Sequence, residues 1–211
     1  MLLSIPHYEI LLCNFSKQNN VSFYFALGYA LFKALKDVER DLEQGRWYLD
    51  KDDLAPLVRR TFKLNNENFD MDGEFYSKNL RPYEYSTIIN IAFSTLRFEE
   101  LVLLNAPLSR EVRDVDYMKG LKSRAEELGA ELVLIWVTAP VSVCRERMAK
   151  RNSDRDTLKL EAWNEYVKNI NYSAPLLLRE EKAVDRFIVF DNASDESFER
   201  SLKETLQILS L

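Results

Sequence analysis

The chain has 211 residues, with 29 lysine and arginine residues against 34 aspartate and glutamate residues, which gives a formal net charge of −5. Hydrophobic residues make up 46% and charged residues 30%; this balance is that of an ordinary globular protein, and the length predicts one domain over residues 1–211. The acidic balance argues against a nucleic-acid or membrane-surface binder, and no apolar run reaches the ~20 residues that span a membrane.

Short apolar runs alternate with helical periodicities along the chain. The apolar runs predict five strands, at residues 8–13, 47–49, 101–104, 132–137 and 187–190. Apolar residues spaced three and four apart predict helices, at about residues 22–42, 82–99, 116–128, 141–151, 158–170 and 194–209. Residues 61–78 are polar and show no clear period, which favours irregular structure.

Solid apolar strands that alternate with helices are typical of a parallel sheet covered by helices on both faces. Sheets of this kind bind ligands at the carboxyl ends of their strands. The residues that follow positions 13, 49, 104 and 137 are therefore the first places in which to look for chemistry.

The segment after the first strand has the position of a phosphate-binding loop. A working loop, GxxxxGK[ST], wraps backbone N–H groups around phosphates and supplies a lysine and a hydroxyl that meets Mg²⁺. Residues 14–22, NFSKQNNVS, contain no glycine. Asn14, Asn19 and Asn20 belong to a type that tolerates positive φ, and Lys17 and Ser22 are the nearest replacements for the missing groups. The alternative is a strand–helix connector without a phosphate role.

Three carboxylates follow the second strand in the sequence YLDKDDL, at residues 48–54. A carboxylate from Asp50, Asp52 or Asp53 would accept a proton from an attacking hydroxyl or coordinate a metal. The alternative is that Asp50 or Asp52 caps the helix that follows.

The third strand ends at Asn105, where an aspartate would help to position Mg²⁺. Asparagine accepts a hydrogen bond but carries no charge. Arg110 and Arg113 follow in the loop and would meet an anionic substrate. The alternative is that both arginines are ordinary surface residues.

A dense charged segment, RERMAKRNSDRDTLK, occupies residues 145–159. Its basic residues are Arg145, Arg147, Lys150, Arg151, Arg155 and Lys159. Arginines that close over a polyphosphate supply the charge stabilisation that phosphoryl transfer needs. The alternative is a solvated helix face whose acidic and basic residues pair with one another.

The rarer residue types narrow the functional classes further. Cys13 and Cys144 are too few for a disulfide framework or a cysteine zinc site, and their apolar surroundings predict buried free thiols. The single histidine, His7, excludes mechanisms that need two. Since no secretory signal is visible at the N-terminus, we expect a protein of the reducing cytoplasm.

The order of these segments resembles the P-loop small-molecule kinases, near gluconate kinase, chloramphenicol phosphotransferase and zeta toxin. The resemblance runs from about residue 8 to 209. It is carried by YLDKDDL, FYSKNLRPYEYSTIINIAFSTLR, LVLLNAPLSREVRD and LVLIWVTAPVSVCRERMAKRNSDRD. Its most specific part, residues 144–166, is similar to the mobile lid of these kinases, which sets the expected lid at about 145–175.

The resemblance implies a P-loop α/β fold with a five-stranded parallel sheet. It also implies transfer of the γ-phosphoryl group of ATP, with Mg²⁺, to the hydroxyl of a small acceptor, by a monomer or dimer that binds neither nucleic acid nor membrane. Asp52 would be the general base or orienting carboxylate, and Arg151 and Arg155 would be catalytic lid arginines. Nucleotide binding would fall to Asn14, Lys17, Asn19, Asn20, Ser22 and Arg147. Acceptor binding would fall to Asp50, Asp53, Arg110 and Arg113, and Mg²⁺ binding to Ser22 and Asn105.

The chain departs from these kinases at the phosphate loop, which lacks glycine and a correctly placed lysine, and at Asn105. Three hypotheses follow. The chain is a kinase with an unorthodox loop, or it is a pseudokinase that acts as a binding or regulatory module. In the third, the first ~25 residues carry a sequence error, because the departure is confined to a short window.

Overall fold

The computed structural model describes residues 46–99, 101–151, 154–168, 171 and 173–209. The predicted first strand at 8–13 and the predicted helix at 22–42 lie outside these residues. So do five assigned nucleotide or metal ligands, which are Asn14, Lys17, Asn19, Asn20 and Ser22. The side chains of Arg151 and Arg155 also lie outside the described part, although both residues belong to described helices.

The described elements alternate between strands and helices. The strands are β1 (Arg46–Asp50), β2 (Leu101–Asn105), β3 (Val133–Thr138) and β4 (Arg186–Asp191). The longer helices are α1 (Ala55–Leu64), α3 (Arg81–Thr95), α4 (Val115–Glu127), α5 (Val141–Arg151) and α9 (Asp195–Leu209). The shorter ones are α2 (Glu74–Asn79), α6 (Asp154–Glu161), α7 (Trp163–Lys168) and α8 (Leu177–Glu180). Two 3₁₀ turns, Lys51–Leu54 and Glu111–Arg113, follow β1 and β2.

The four described strands form two parallel pairs. β1 pairs with β2, with Trp47 opposite Val102 and Asp50 opposite Asn105. β3 pairs with β4, with Val133 opposite Arg186. The prediction of one five-stranded sheet is wrong for the described residues, which form two separate two-stranded sheets. A continuous sheet needs strands that are paired along both edges, and each described strand has one partner.

The main core lies around β3. Its residues from Val133 to Val137 are buried throughout, and Trp136 is among the largest fully buried side chains. This solid burial explains why the strand is a continuous apolar run, since a parallel strand covered on both faces cannot alternate with polar residues. The core joins β2 and β3 to the apolar faces of α3, α4 and α9.

Residues 61–78 are more regular than their sequence predicts. α1 continues to Leu64 and α2 occupies Glu74–Asn79. Both helices bury side chains in a second, small cluster built on Val58, Phe62 and Tyr76. The contacts that order this region come from tertiary packing, which a search for a single helical period does not detect.

The predicted lid helix at 158–170 is divided in the structure. α6 ends at Glu161 and α7 begins at Trp163. The helices predicted at 82–99, 116–128, 141–151 and 194–209 are confirmed within a few residues at their ends. None of the helices in the described part of the chain combines the length and the apolar character needed to cross a membrane.

Candidate functional site

The carboxyl ends of β1 and β2 bring two of the predicted residues together. Asp50 and Asn105 are register partners, and the Asn105 side-chain nitrogen donates to Asp50 Oδ2 at 2.9 Å. Parallel strands end at the same edge of a sheet, so residues 55 positions apart in the chain meet there. The meeting of these two residues is the starting point of the candidate site.

Asp50 also shapes the turn that follows it. It is the N-cap of the 3₁₀ turn Lys51–Leu54, and its Oδ1 accepts a hydrogen bond from the backbone N–H of Asp52 at 2.8 Å. The prediction that Asp50 or Asp52 caps the following helix therefore holds for Asp50, and the helix that it caps is this 3₁₀ turn. Asp53, the third carboxylate, is exposed.

The side chain of Asp52 remains 43% exposed and lies against a buried cation. Lys51 Nζ is 3.1 Å from Asp52 Oδ1. The same ammonium is 3.3 Å from Glu84 Oε1, and the Lys51 and Glu84 side chains are only 5% and 2% exposed. A buried charge is stable only when it is paired and hydrogen-bonded, and Lys51 has both carboxylates as partners.

Tyr76 completes this arrangement from α2. Its hydroxyl donates to Glu84 Oε2. Burial raises the pKa of the Tyr76 phenol far above its usual value, and the hydrogen bond to Glu84 raises it further. The hydroxyl therefore stays protonated and remains a donor to Glu84 across the physiological pH range.

Sequence analysis did not identify Lys51 or Glu84 as residues of the site. One signal was present in α3, where Glu84 precedes the buried Ile88 by four residues and so lies on the apolar face of the helix. A charged residue at such a position requires a buried partner. The sequence does not reveal which residue that partner is, because Lys51 lies 33 positions away.

The two loop arginines assigned to the acceptor make different contacts. Arg110 is exposed and donates to Ser77 Oγ at 2.9 Å, which joins the loop after β2 to α2. Arg113 donates to the backbone carbonyls of Asn171 and Ser173, at 2.9 and 2.8 Å. Arg113 thus ties the end of the predicted lid to the 3₁₀ turn after β2.

A further ion pair lies beside this loop. Arg81 forms a bidentate salt bridge with Glu111, with nitrogen–oxygen distances of 2.6 and 2.8 Å. The guanidinium also stacks on the ring of Tyr85 at 4.1 Å. Burial opposes the charge on Arg81, but its bond to Glu111 raises the guanidinium pKa overall. Arg81 therefore stays charged and holds α3 against the loop that carries Arg110 and Arg113.

The predicted lid, 145–175, contains described contacts of its own. Arg147 Nη1 donates to the backbone carbonyl of Asn192 at 2.8 Å, in the turn that follows β4. Lys159 Nζ lies 3.1 Å from Asp72 Oδ2, which connects α6 to the loop before α2. These two residues of the predicted lid therefore contact the turn after β4 and the loop before α2.

Arg147 and Asn105 show how well the described residues suit a bound nucleotide and a metal ion. Arg147 has five N–H donors, so its bond to Asn192 is compatible with phosphate binding. Among the described residues, no group of three or more His, Cys, Asp or Glu side chains is placed to hold a metal ion. Mg²⁺ at Asn105 would accordingly be held chiefly by phosphates and water, as is usual for this ion.

Comparison with protein-family models and with curated proteins gives no match to this chain. Among solved structures, the chain is similar to a gluconokinase from Sinorhizobium meliloti 1021, with 14% sequence identity. The similarity covers 86% of this chain and 86% of the gluconokinase chain, with a TM-score of 0.45.

Proposed function

We propose that the protein transfers the γ-phosphoryl group of ATP to a hydroxyl of a small acceptor, and that Asp52 receives that hydroxyl. The observation that carries the proposal is the state of Asp52, a carboxylate 43% exposed and 3.1 Å from the buried ammonium of Lys51. The carboxylate lies just after β1, at the sheet edge where parallel α/β folds bind ligands.

Asp52 would act on the acceptor in two ways. Its carboxylate accepts the hydrogen bond of the hydroxyl and so aims the oxygen at the phosphorus. As the new oxygen–phosphorus bond forms, the bond from the γ-phosphorus to the β,γ-bridging oxygen breaks and ADP leaves, while the carboxylate takes the hydroxyl proton. Positioning is the larger contribution, because phosphoryl transfer needs little covalent assistance from the protein. In this role Lys51 keeps one carboxylate oxygen fixed, and Asp50 fixes the backbone of Asp52.

ATP supplies the phosphoryl group, and Mg²⁺ bound to its phosphates neutralises charge. The residues proposed to hold the nucleotide are Asn14, Lys17, Asn19, Asn20, Ser22 and Arg147, with Arg151 and Arg155 against the transferring phosphate. Asp50, Asp53, Arg110 and Arg113 are proposed for the acceptor side, and Ser22 and Asn105 for Mg²⁺. Asn105 supports water-mediated binding best, since its amide already donates to Asp50.

A second candidate function is supported by the composition of residues 14–22, which contain no glycine and no lysine at the position that a phosphate loop requires. In that case the protein is a pseudokinase that uses the same fold as a binding or regulatory module. Each charge-assisted hydrogen bond lost from a phosphate site removes roughly 1.5–3 kcal/mol. Several such losses would leave nucleotide affinity too weak for catalysis.

Isothermal titration calorimetry of ATP with and without Mg²⁺ separates the two candidates. A kinase binds the Mg²⁺ complex in the micromolar range, and a screen of hydroxyl acceptors for phosphoryl transfer follows. Folded protein that gives no heat in either titration contradicts the kinase proposal and favours the pseudokinase.

The role of Asp52 is tested in the transfer assay with Asp52→Asn. We expect kcat/KM to fall by roughly 100-fold or more, as for loss of a general base. The matched control is Glu127→Gln, which removes one exposed carboxylate at the far end of α4. Equal activity of Asp52→Asn and the control removes Asp52 from the mechanism.

A further inference from the structure

The buried side chains behind Asp52 form a continuous polar chain. It runs from the Tyr76 hydroxyl on α2 to Glu84 on α3, from Glu84 to the Lys51 ammonium, and from Lys51 to Asp52 at the surface. Measured over the whole residue rather than the side chain, Tyr76, Lys51 and Glu84 are 5%, 4% and 5% exposed. Two consecutive helices, α2 and α3, and the turn after β1 thus converge on one half-exposed carboxylate.

Stability alone is a poor explanation for this arrangement. A buried ion pair seldom stabilises a fold more than apolar side chains of the same volume, because the desolvation cost offsets the attraction. Other buried positions on α1 and α3 hold apolar residues, namely Val58, Phe62 and Ile88. If packing were the only requirement, apolar residues would serve equally well at positions 51, 76 and 84. The ionic chain does supply orientation, because each group in it has a defined hydrogen-bond direction.

The chain also acts together with a second support. Asp50 holds the backbone N–H of Asp52 at 2.8 Å, and Asn105 holds Asp50 from the next strand. The backbone of Asp52 is therefore fixed from β1 and β2, and its carboxylate is fixed from α2 and α3.

We propose that Tyr76 and Glu84 are positioning residues that act through Lys51 to orient the Asp52 carboxylate toward the acceptor hydroxyl. This inference rests on the proposed function for its catalytic meaning. Tyr76 fixes the Glu84 carboxylate, Glu84 fixes the Lys51 ammonium, and Lys51 holds Asp52 Oδ1. None of the three contacts the acceptor in this scheme.

The test has a spectroscopic arm that does not require kinase activity. The side-chain carboxyl carbon of Asp52 is followed by NMR in ¹³C-aspartate-labelled protein and assigned with Asp52→Asn. Its resonance is compared in wild type, Tyr76→Phe, Glu84→Gln and Lys51→Met. We expect it to shift in all three variants, while the carboxyl carbon of Asp53 serves as the internal reference.

Two control variants remove comparable buried interactions elsewhere. Ser197→Ala deletes a buried hydroxyl on α9 that accepts a hydrogen bond from the Ser194 N–H at 2.9 Å. Lys122→Met deletes a partly buried ammonium that lies 2.9 Å from Asp185. Neither control should shift the Asp52 resonance. If the Asp52 resonance stays unchanged in Tyr76→Phe and Glu84→Gln, or shifts equally in the two controls, the inference is overturned.

The kinetic arm uses the same variants with the acceptor found in the transfer screen. We expect Lys51→Met to lower kcat about tenfold or more at an unchanged KM for ATP, as for loss of one charge-assisted hydrogen bond. Glu84→Gln should lower kcat less than Lys51→Met does, and Tyr76→Phe should lower it least. Both controls should keep wild-type kcat. If the wild-type protein shows no phosphoryl transfer with any acceptor, the proposed function is overturned. The NMR arm still tests the positioning inference on its own.

Discussion

Asn105 and Asp50 are joined by a 2.9 Å hydrogen bond between their side chains, at the register position where β1 and β2 both end. The bond requires a neutral amide opposite a carboxylate. An aspartate at position 105 would place two negative charges against each other, and like charges directly opposite on neighbouring strands are destabilising.

Asn105→Asp should therefore make stability depend on pH. Repulsion raises the folded-state pKa of one carboxyl above its unfolded value of about 3.9. The variant is then destabilised, by about 1–2 kcal/mol, while both groups are charged. The penalty is present above the raised folded pKa and disappears as the pH falls through it. Urea denaturation at pH 7 and pH 4 measures the change.

Asn105→Ala serves as the control for that experiment. It loses the same hydrogen bond but adds no charge, so its difference from wild type should change little between the two pH values. An Asn105→Asp deficit that is as large at pH 4 as at pH 7 would contradict the account.

The Arg81–Glu111 contact predicts a large effect of a single side chain. The two side chains are 10% and 14% exposed. Arg81→Met leaves Glu111 without this partner in a poorly hydrated site, and breaking such a pair costs about 3 kcal/mol. The exposed pair Lys78–Glu74, at 2.5 Å, is the comparison, because Lys78→Met should cost less than about 0.5 kcal/mol. Equal unfolding free energies for the two variants would refute the prediction.

Two glycines, one within α4 and one just after it, predict opposite responses to the same substitution. Gly129 has φ of +72° and follows the helix, with the Ala130 N–H bonded to the Ala125 carbonyl at 2.8 Å. Gly129→Ala should destabilise by about 1 kcal/mol, since alanine is strained in this conformation. Gly120 lies within α4, and a Cβ there meets nothing within 4 Å. Gly120→Ala should stabilise by about 0.5–1 kcal/mol, and thermal melts compare the two.

Cys144 should be a slow nucleophile. It is 1% exposed, and burial raises the pKa of its thiol to about 11 despite the opposing influence of Arg147. Only about 0.1% of the thiol is then ionised at pH 8, and the thiolate is the reactive form. Iodoacetamide labelling followed by peptide mass mapping should find Cys144 unmodified in native protein and modified in concentrated urea. Native labelling at the rate of a free cysteine would show that the thiol is accessible.

The four described strands are predictable from the sequence because each is a solid apolar run. Leu101–Asn105 and Val133–Thr138 lie within one residue of their predicted bounds. The pairing of strands is a different matter. The described strands form two separate pairs, and pairing depends on which edges meet in space, which local hydrophobicity does not encode.

The candidate site likewise has one part that the sequence predicts and one part that only the tertiary structure shows. The residues YLDKDDL and the end of the third strand by themselves determined where carboxylates and an amide would lie, because the ends of parallel strands share an edge. The buried chain from Tyr76 through Glu84 to Lys51 was decided only by the tertiary structure, which places α2 and α3 behind the turn after β1. From the sequence alone, a lysine beside three aspartates is expected to be exposed to solvent. Its burial follows from packing, and burial is what makes its two carboxylate partners necessary.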